Sequence, residues 1–80
     1  MTQFNIKESK SFTKNDSILF KSYCYDRLKE VLELRLRSDK KNIRNMRYIV
    51  DPVQFYRLMR DGNFDKHFIQ MISYQCKKID

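Results

Sequence analysis

No tryptophan, one glycine, one proline, one histidine and two cysteines stand in this 80-residue chain, and the scarcity of glycine, histidine and cysteine removes whole classes of site. A single glycine, Gly62, leaves no glycine-rich loop to cradle a phosphate. A single histidine, His67, leaves no histidine-rich metal site, and Asp65, two residues away on a different helix face, does not pair with it toward a Ser-His-Asp set; it is expected as an ordinary half-exposed helix residue. Cys24 and Cys76 are too few for a disulfide framework and lack metal-ligand spacing. Both are expected as small buried hydrophobes, with no metal and no cofactor. No segment approaches about 18 continuous apolar residues, and the N-terminus has no apolar h-region. A cytoplasmic protein without a membrane partner is expected.

What remains is rich in large apolar side chains and in positive charge. Hydrophobic residues make up 41%, and six Phe and five Tyr suit a small single core. A domain of this size buries only about 60% of its unfolded surface, so its stability margin is thin. One domain is expected over residues 16–80, preceded by residues 1–15 as a polar tail or an added edge strand anchored by Phe4, Ile6 and Phe12.

Leu32, Leu34 and Leu36 alternate with Glu33, Arg35 and Arg37, the period of a strand with one wet face. A second alternating run, Met46, Tyr48 and Val50, follows a turn at residues 38–42. Upstream, residues 18–25 allow two alternations. The preferred one points Ile18, Phe20, Ser22 and Cys24 inward and leaves Tyr23 and Tyr25 beside Lys21 in water; the other points Leu19, Tyr23 and Tyr25 inward with Lys21 out of step. These three runs read as an antiparallel meander.

Asp51-Pro52-Val53-Gln54 is a helix start, with Asp51 as N-cap, Pro52 in the first position and Gln54 reaching back to the cap. Val53, Phe55 or Tyr56, and Met59 would form its apolar stripe, and Gly62 its left-handed stop. Phe64, Phe68, Met71, Ile72, Gln75 or Cys76, and Ile79 repeat at helical spacing, with Lys77 and Lys78 complementing the dipole. The expected fold is α+β: a three-stranded antiparallel meander followed by two C-terminal helices packed on one sheet face.

The formal net charge is +7 and is concentrated. Residues 27–47 hold eight bases against the acids Glu30, Glu33 and Asp39, a surplus of five. Arg35, Arg37 and Arg47 would share one sheet face, extended at its end by Lys40, Lys41 and Arg44. Such a surface neutralises phosphates, and exposed Tyr23 or Tyr25 could stack on unpaired bases. The plainer reading is a charged surface that keeps a sheet from aggregating.

In order along the chain, Ser17-Ile18, Tyr25-Asp26, Leu32-Glu33-Leu34-Arg35-Leu36, Met46-Arg47-Tyr48-Ile49-Val50-Asp51-Pro52, Phe55-Tyr56, Gly62, Phe64 and Ile72-Ser73-Tyr74 form a pattern. Over residues 16–79 that pattern resembles the KTSC domain, found at the C-terminus of some lysyl-tRNA synthetases and as stand-alone bacterial and phage proteins. Met46 stands where the family has a tyrosine, Asp51 separates Val50 from Pro52, and Arg60-Asp61 replaces small residues. The resemblance implies an RNA-binding role and brings no catalytic residue.

The leading expectation is a non-enzymatic module binding RNA or single-stranded nucleic acid through Arg35, Arg37, Lys40, Lys41, Arg44 and Arg47. A phage or mobile-element protein that docks on an acidic host protein and inhibits it is the alternative. A third is a toxin-type ribonuclease in which Arg35, Arg37, Arg47 and Tyr48 act on an RNA phosphate. The sequence leaves the oligomeric state open.

Overall fold

The computed structural model describes residues 7–37 and 45–79. Five strands form one antiparallel sheet in chain order: β1 (Lys7–Ser11), β2 (Phe20–Asp26), β3 (Val31–Leu36), β4 (Asn45–Ile49) and β5 (Lys77–Lys78). Between β4 and β5 come α1 (Pro52–Arg60) and a C-terminal helix. That helix is built from α2 (Phe64–His67), a π-helical turn (Phe68–Ile72) and α3 (Ser73–Gln75). The α+β class and the antiparallel core meander are present, but the sheet has five strands rather than three.

Both added strands come from segments whose own chemistry is weak. The stretch KESKS of β1 is exposed at every position and is held by pairing with β2. Lys77 and Lys78 leave the helix instead of completing its last turn, because Cys76 turns extended (φ −102°, ψ 143°). Ile79 N–H then donates to the Arg47 carbonyl at 2.8 Å, so a ladder bond replaces the helical one expected for this residue.

Phe20, Tyr23 and Tyr25 all face the core, 1%, 6% and 1% exposed. The preferred alternation is therefore wrong for the tyrosines, and the reason is local. A bulge lies between Phe20 and Ser22: Phe20 pairs with Leu36, while Ser22 pairs with Arg35. The extra residue, Lys21, lets Phe20 and Tyr23 share a face at an odd spacing. Ile18, expected inside, is 75% exposed.

The helices cover this one face. Tyr25 stacks on Phe55 with ring centroids 4.0 Å apart, and Phe68 packs edge to face with Phe20 at 4.9 Å and with Tyr48 at 5.3 Å. Leu32, Leu34, Val50 and Leu58 are fully buried between the layers. Phe12, from the expected tail, closes the core against Phe64 at 4.7 Å.

Asp51 caps α1 as expected, accepting from Gln54 N–H at 2.9 Å. The Gln54 side chain does not fold back; its Oε1 accepts from Cys76 Sγ at 2.8 Å and ties α1 to the end of the C-terminal helix. The buried face of α1 is Phe55 and Leu58, while Val53 and Tyr56 stand outside. Gly62 does not adopt a left-handed conformation; among the described residues Glu30, closing the β2–β3 turn, has the positive φ (57°).

In the C-terminal helix Phe64, Phe68 and Ile72 are buried and Met71 is exposed. A spacing of four residues drifts about 40° per step around a 3.6-residue helix. The wider π turn, with Ser73 N–H donating to the Phe68 carbonyl, holds these residues on one face.

Tyr25 hydroxyl donates to the Val50 carbonyl at 2.6 Å, joining β2 to the approach of α1. Burial, reinforced by the charges of Glu30 and Asp51, pushes its pKa from 10.0 up to about 12. An unfolded chain therefore loses this proton first as pH rises, and folding stability falls through the window from 10 to 12. Burial also raises Tyr23 and Tyr48, which add to the fall. Urea unfolding at stepped alkaline pH should show this loss, and Tyr25→Phe should make it shallower.

Candidate nucleic-acid interface

The opposite sheet face carries no layer among the described residues. Strand register sorts its side chains into three rows across the sheet. The first is Lys7, Asp26, Val31, Ile49 and Lys77. The second is Ser9, Cys24, Glu33 and Arg47, continued by Ile79 through its bond to the Arg47 carbonyl. The third is Ser11, Ser22, Arg35 and Asn45. Cys24, expected inside, belongs to this outer face and is half-buried; Cys76 packs against the core, and both thiols are free.

Both acids on this face are engaged. Asp26 Oδ1 accepts from the N–H groups of Leu28 and Lys29 at 3.1 Å each, holding the β2–β3 turn. Glu33 accepts from the Asn45 side-chain amide and lies 3.8 Å from Arg47 Nε. Arg35 is exposed and makes no ion pair within the described residues. It borders a shallow groove of about 380 Å³ with Ser9, Ser11, Ser22, Glu33 and Asn45. The guanidinium and three hydroxyls offer donors to a phosphate oxygen, while the Asn45 amide is directed at the Glu33 carboxylate on the same groove.

The six residues expected to form the basic patch divide. Arg35 and Arg47 share the open face. Lys40, Lys41 and Arg44 lie outside the described residues. Arg37 is turned inward: its Nη2 donates to the carbonyls of Phe12 (3.1 Å), Ser17 (2.9 Å) and Phe20 (3.0 Å). It acts as a clamp on the β1–β2 connection.

Asp65 holds the same connection from the other side. It accepts from Ser17 hydroxyl at 2.5 Å and from Ile18 N–H at 2.8 Å, while buried Ser17 accepts from Phe20 N–H at 2.9 Å. Lys7 and Lys77 join the basic face without having been expected there. The alternation of KESKS hinted at the first, whereas the helical spacing around Lys77 concealed the second.

The base-stacking role expected of Tyr23 and Tyr25 is lost, since both rings are in the core. Tyr48 is also buried, on the side of the sheet opposite Arg35 and Arg47, so the set Arg35, Arg37, Arg47 and Tyr48 is not assembled on one face. His67 Nδ1 lies 2.9 Å from Asp61 Oδ2. Asp61 is held below its ordinary carboxylate range by the Asn63 N–H first and by His67 second. This pair ties the end of α1 to the start of the C-terminal helix. Among the described residues no group of three or more His, Cys, Asp or Glu side chains is placed to hold a metal, and no helix is long and apolar enough to cross a membrane. Comparison with protein-family models, with curated proteins and with solved structures found no match to this chain.

Proposed function

We propose that this chain is a small non-enzymatic module that binds nucleic acid, RNA in preference, on the uncovered face of its sheet. The observation that carries the reading is Arg35: exposed, without an ion pair among the described residues, and set in a row of hydroxyls on an open surface. Arg47 flanks it, and Lys40, Lys41 and Arg44 would extend the patch. With the tyrosines buried, recognition runs through phosphates rather than stacked bases. The preference for RNA rests on the resemblance to the KTSC domain.

Five phosphate contacts on a single strand give a slope of log K against log salt of about −3.5. Fluorescence anisotropy with mixed RNA and DNA oligomers across a salt series measures it. Replacing Arg35 and Arg47 together by Ala should make the slope shallower by about 1.4. Binding that is undetectable at low salt, or that ignores salt, would sink the proposal.

A second reading is favoured by the helical side. Tyr74 is 84% exposed and Tyr56 60%, with Val53 and Ile69 also outside. Large apolar side chains left in water fit a protein–protein module, such as a phage or mobile-element factor that docks on a host protein. Pull-down from nuclease-treated bacterial lysate separates the two: one stoichiometric protein retained favours docking, and loss of everything favours nucleic acid.

A further inference from the structure

We propose that the outer edge of β1 pairs with the same edge of a second copy of this chain, giving a closed two-fold dimer with one continuous ten-stranded sheet. The backbone supplies the first argument. Phe12 N–H donates to the Lys21 carbonyl at 2.8 Å, so residues alternating from Phe12, namely Lys10 and Glu8, direct their N–H and C=O groups toward β2. Lys7, Ser9 and Ser11 therefore direct theirs away from β2, to an edge that no strand covers among the described residues.

The side chains supply the register. Antiparallel pairing of this edge with its own copy must set Lys7, Ser9 and Ser11 opposite one another. With Ser9 facing Ser9 across the two-fold axis, each Glu8 lies opposite Lys10 of the other copy, and Lys7 lies opposite Ser11. A slip of two residues in one direction sets Glu8 against Glu8. The same slip in the other direction sets Lys10 against Lys10. Only the centred register matches charge, and it does so twice.

The opposite edge of the sheet does not compete. Strand β5 has two residues, Lys77 and Lys78, which would meet the lysines of β1. Head-to-tail growth is thus repelled and the isologous contact closes. The existing partner of Glu8, Arg27 at 4.0 Å on an exposed surface, is a weak competitor. An edge contact of five residues a side is small, so the dimer forms at high chain concentration and loosens in salt.

Sedimentation of the full chain over a concentration series at low salt, without nucleic acid, tests this apart from the binding proposal. A reversible monomer–dimer equilibrium is expected. Glu8→Lys alone and Lys10→Glu alone should each be monomeric, whereas an equimolar mixture of the two variants should form a 1:1 heterodimer. Glu8→Lys with Lys10→Glu in one chain should restore the homodimer. Ser9→Pro removes an N–H aimed at the free edge and breaks no bond to β2, as proline on an edge strand allows; it should abolish the dimer while leaving a cooperative thermal transition of the monomer in place. Monomer at every concentration overturns the proposal, as does a dimer indifferent to Glu8→Lys and Ser9→Pro, or a failure of the two charge variants to associate.

Discussion

Arg37→Ala is expected to lower the unfolding free energy by about 3 kcal/mol and to leave nucleic-acid affinity per folded molecule unchanged. Three carbonyls, from Phe12, Ser17 and Phe20, converge on one guanidinium nitrogen. Hydrogen bonds from a charged donor contribute about 1.5–3 kcal/mol each when considered singly, but three sharing one nitrogen do not add, and exposed carbonyls recover water. Removal strands acceptors in a partly buried connection and frees Phe12 from the core. Arg37→Lys should recover part of the loss, since an ammonium offers three donors without the rigid fork. Urea unfolding reads the stability, and anisotropy well below the melting temperature reads the affinity. If Arg37→Ala instead weakened binding as much as Arg35→Ala, with stability intact, the clamp would be wrong and the basic patch would regain this residue.

Phe20→Ala is expected to cost about 3–5 kcal/mol, the range for truncating a buried aromatic. Its ring is 1% exposed and meets Phe64 at 5.9 Å and Phe68 at 4.9 Å, both edge to face. An 80-residue domain holds roughly 4–12 kcal/mol in total, so the variant sits near the edge of folding. Phe20→Leu, which keeps most of the volume, should lose far less. The urea midpoint should fall with an unchanged slope, because the same surface is exposed on unfolding. A loss under about 1 kcal/mol would show that the bulge lets the core close around the missing ring.

These two residues also show where the sequence was legible. Arg37 continues the alternation of Glu33 and Arg35, and by period alone it belongs on the open face. The strand ends at Leu36, however, and one residue later the side chain finds carbonyls 17 to 25 positions away in sequence. Phe20 points inward as its alternation predicts, but a single period carried from it puts Tyr23 and Tyr25 in water, whereas both are buried. A bulge changes parity, and no residue type in FKSYCYD announces one. The same limit cost the stacking role of the tyrosines.

Alternation in β3 and β4, the Asp26 turn and the Asp51-Pro52 helix start were determined by the sequence itself, since each depends on neighbours within a few residues. So was the apolar run Phe64, Phe68 and Ile72, although not the π turn that aligns it. The tertiary structure decided between tail and edge strand for KESKS, and it alone decided that Lys77 and Lys78 leave the helix and that Arg37 points inward while Arg35 stays on the open face. The physical reason is common to all of these. Each requires a hydrogen-bond partner or a packing surface supplied by a distant segment, and local propensity does not encode which distant segment arrives.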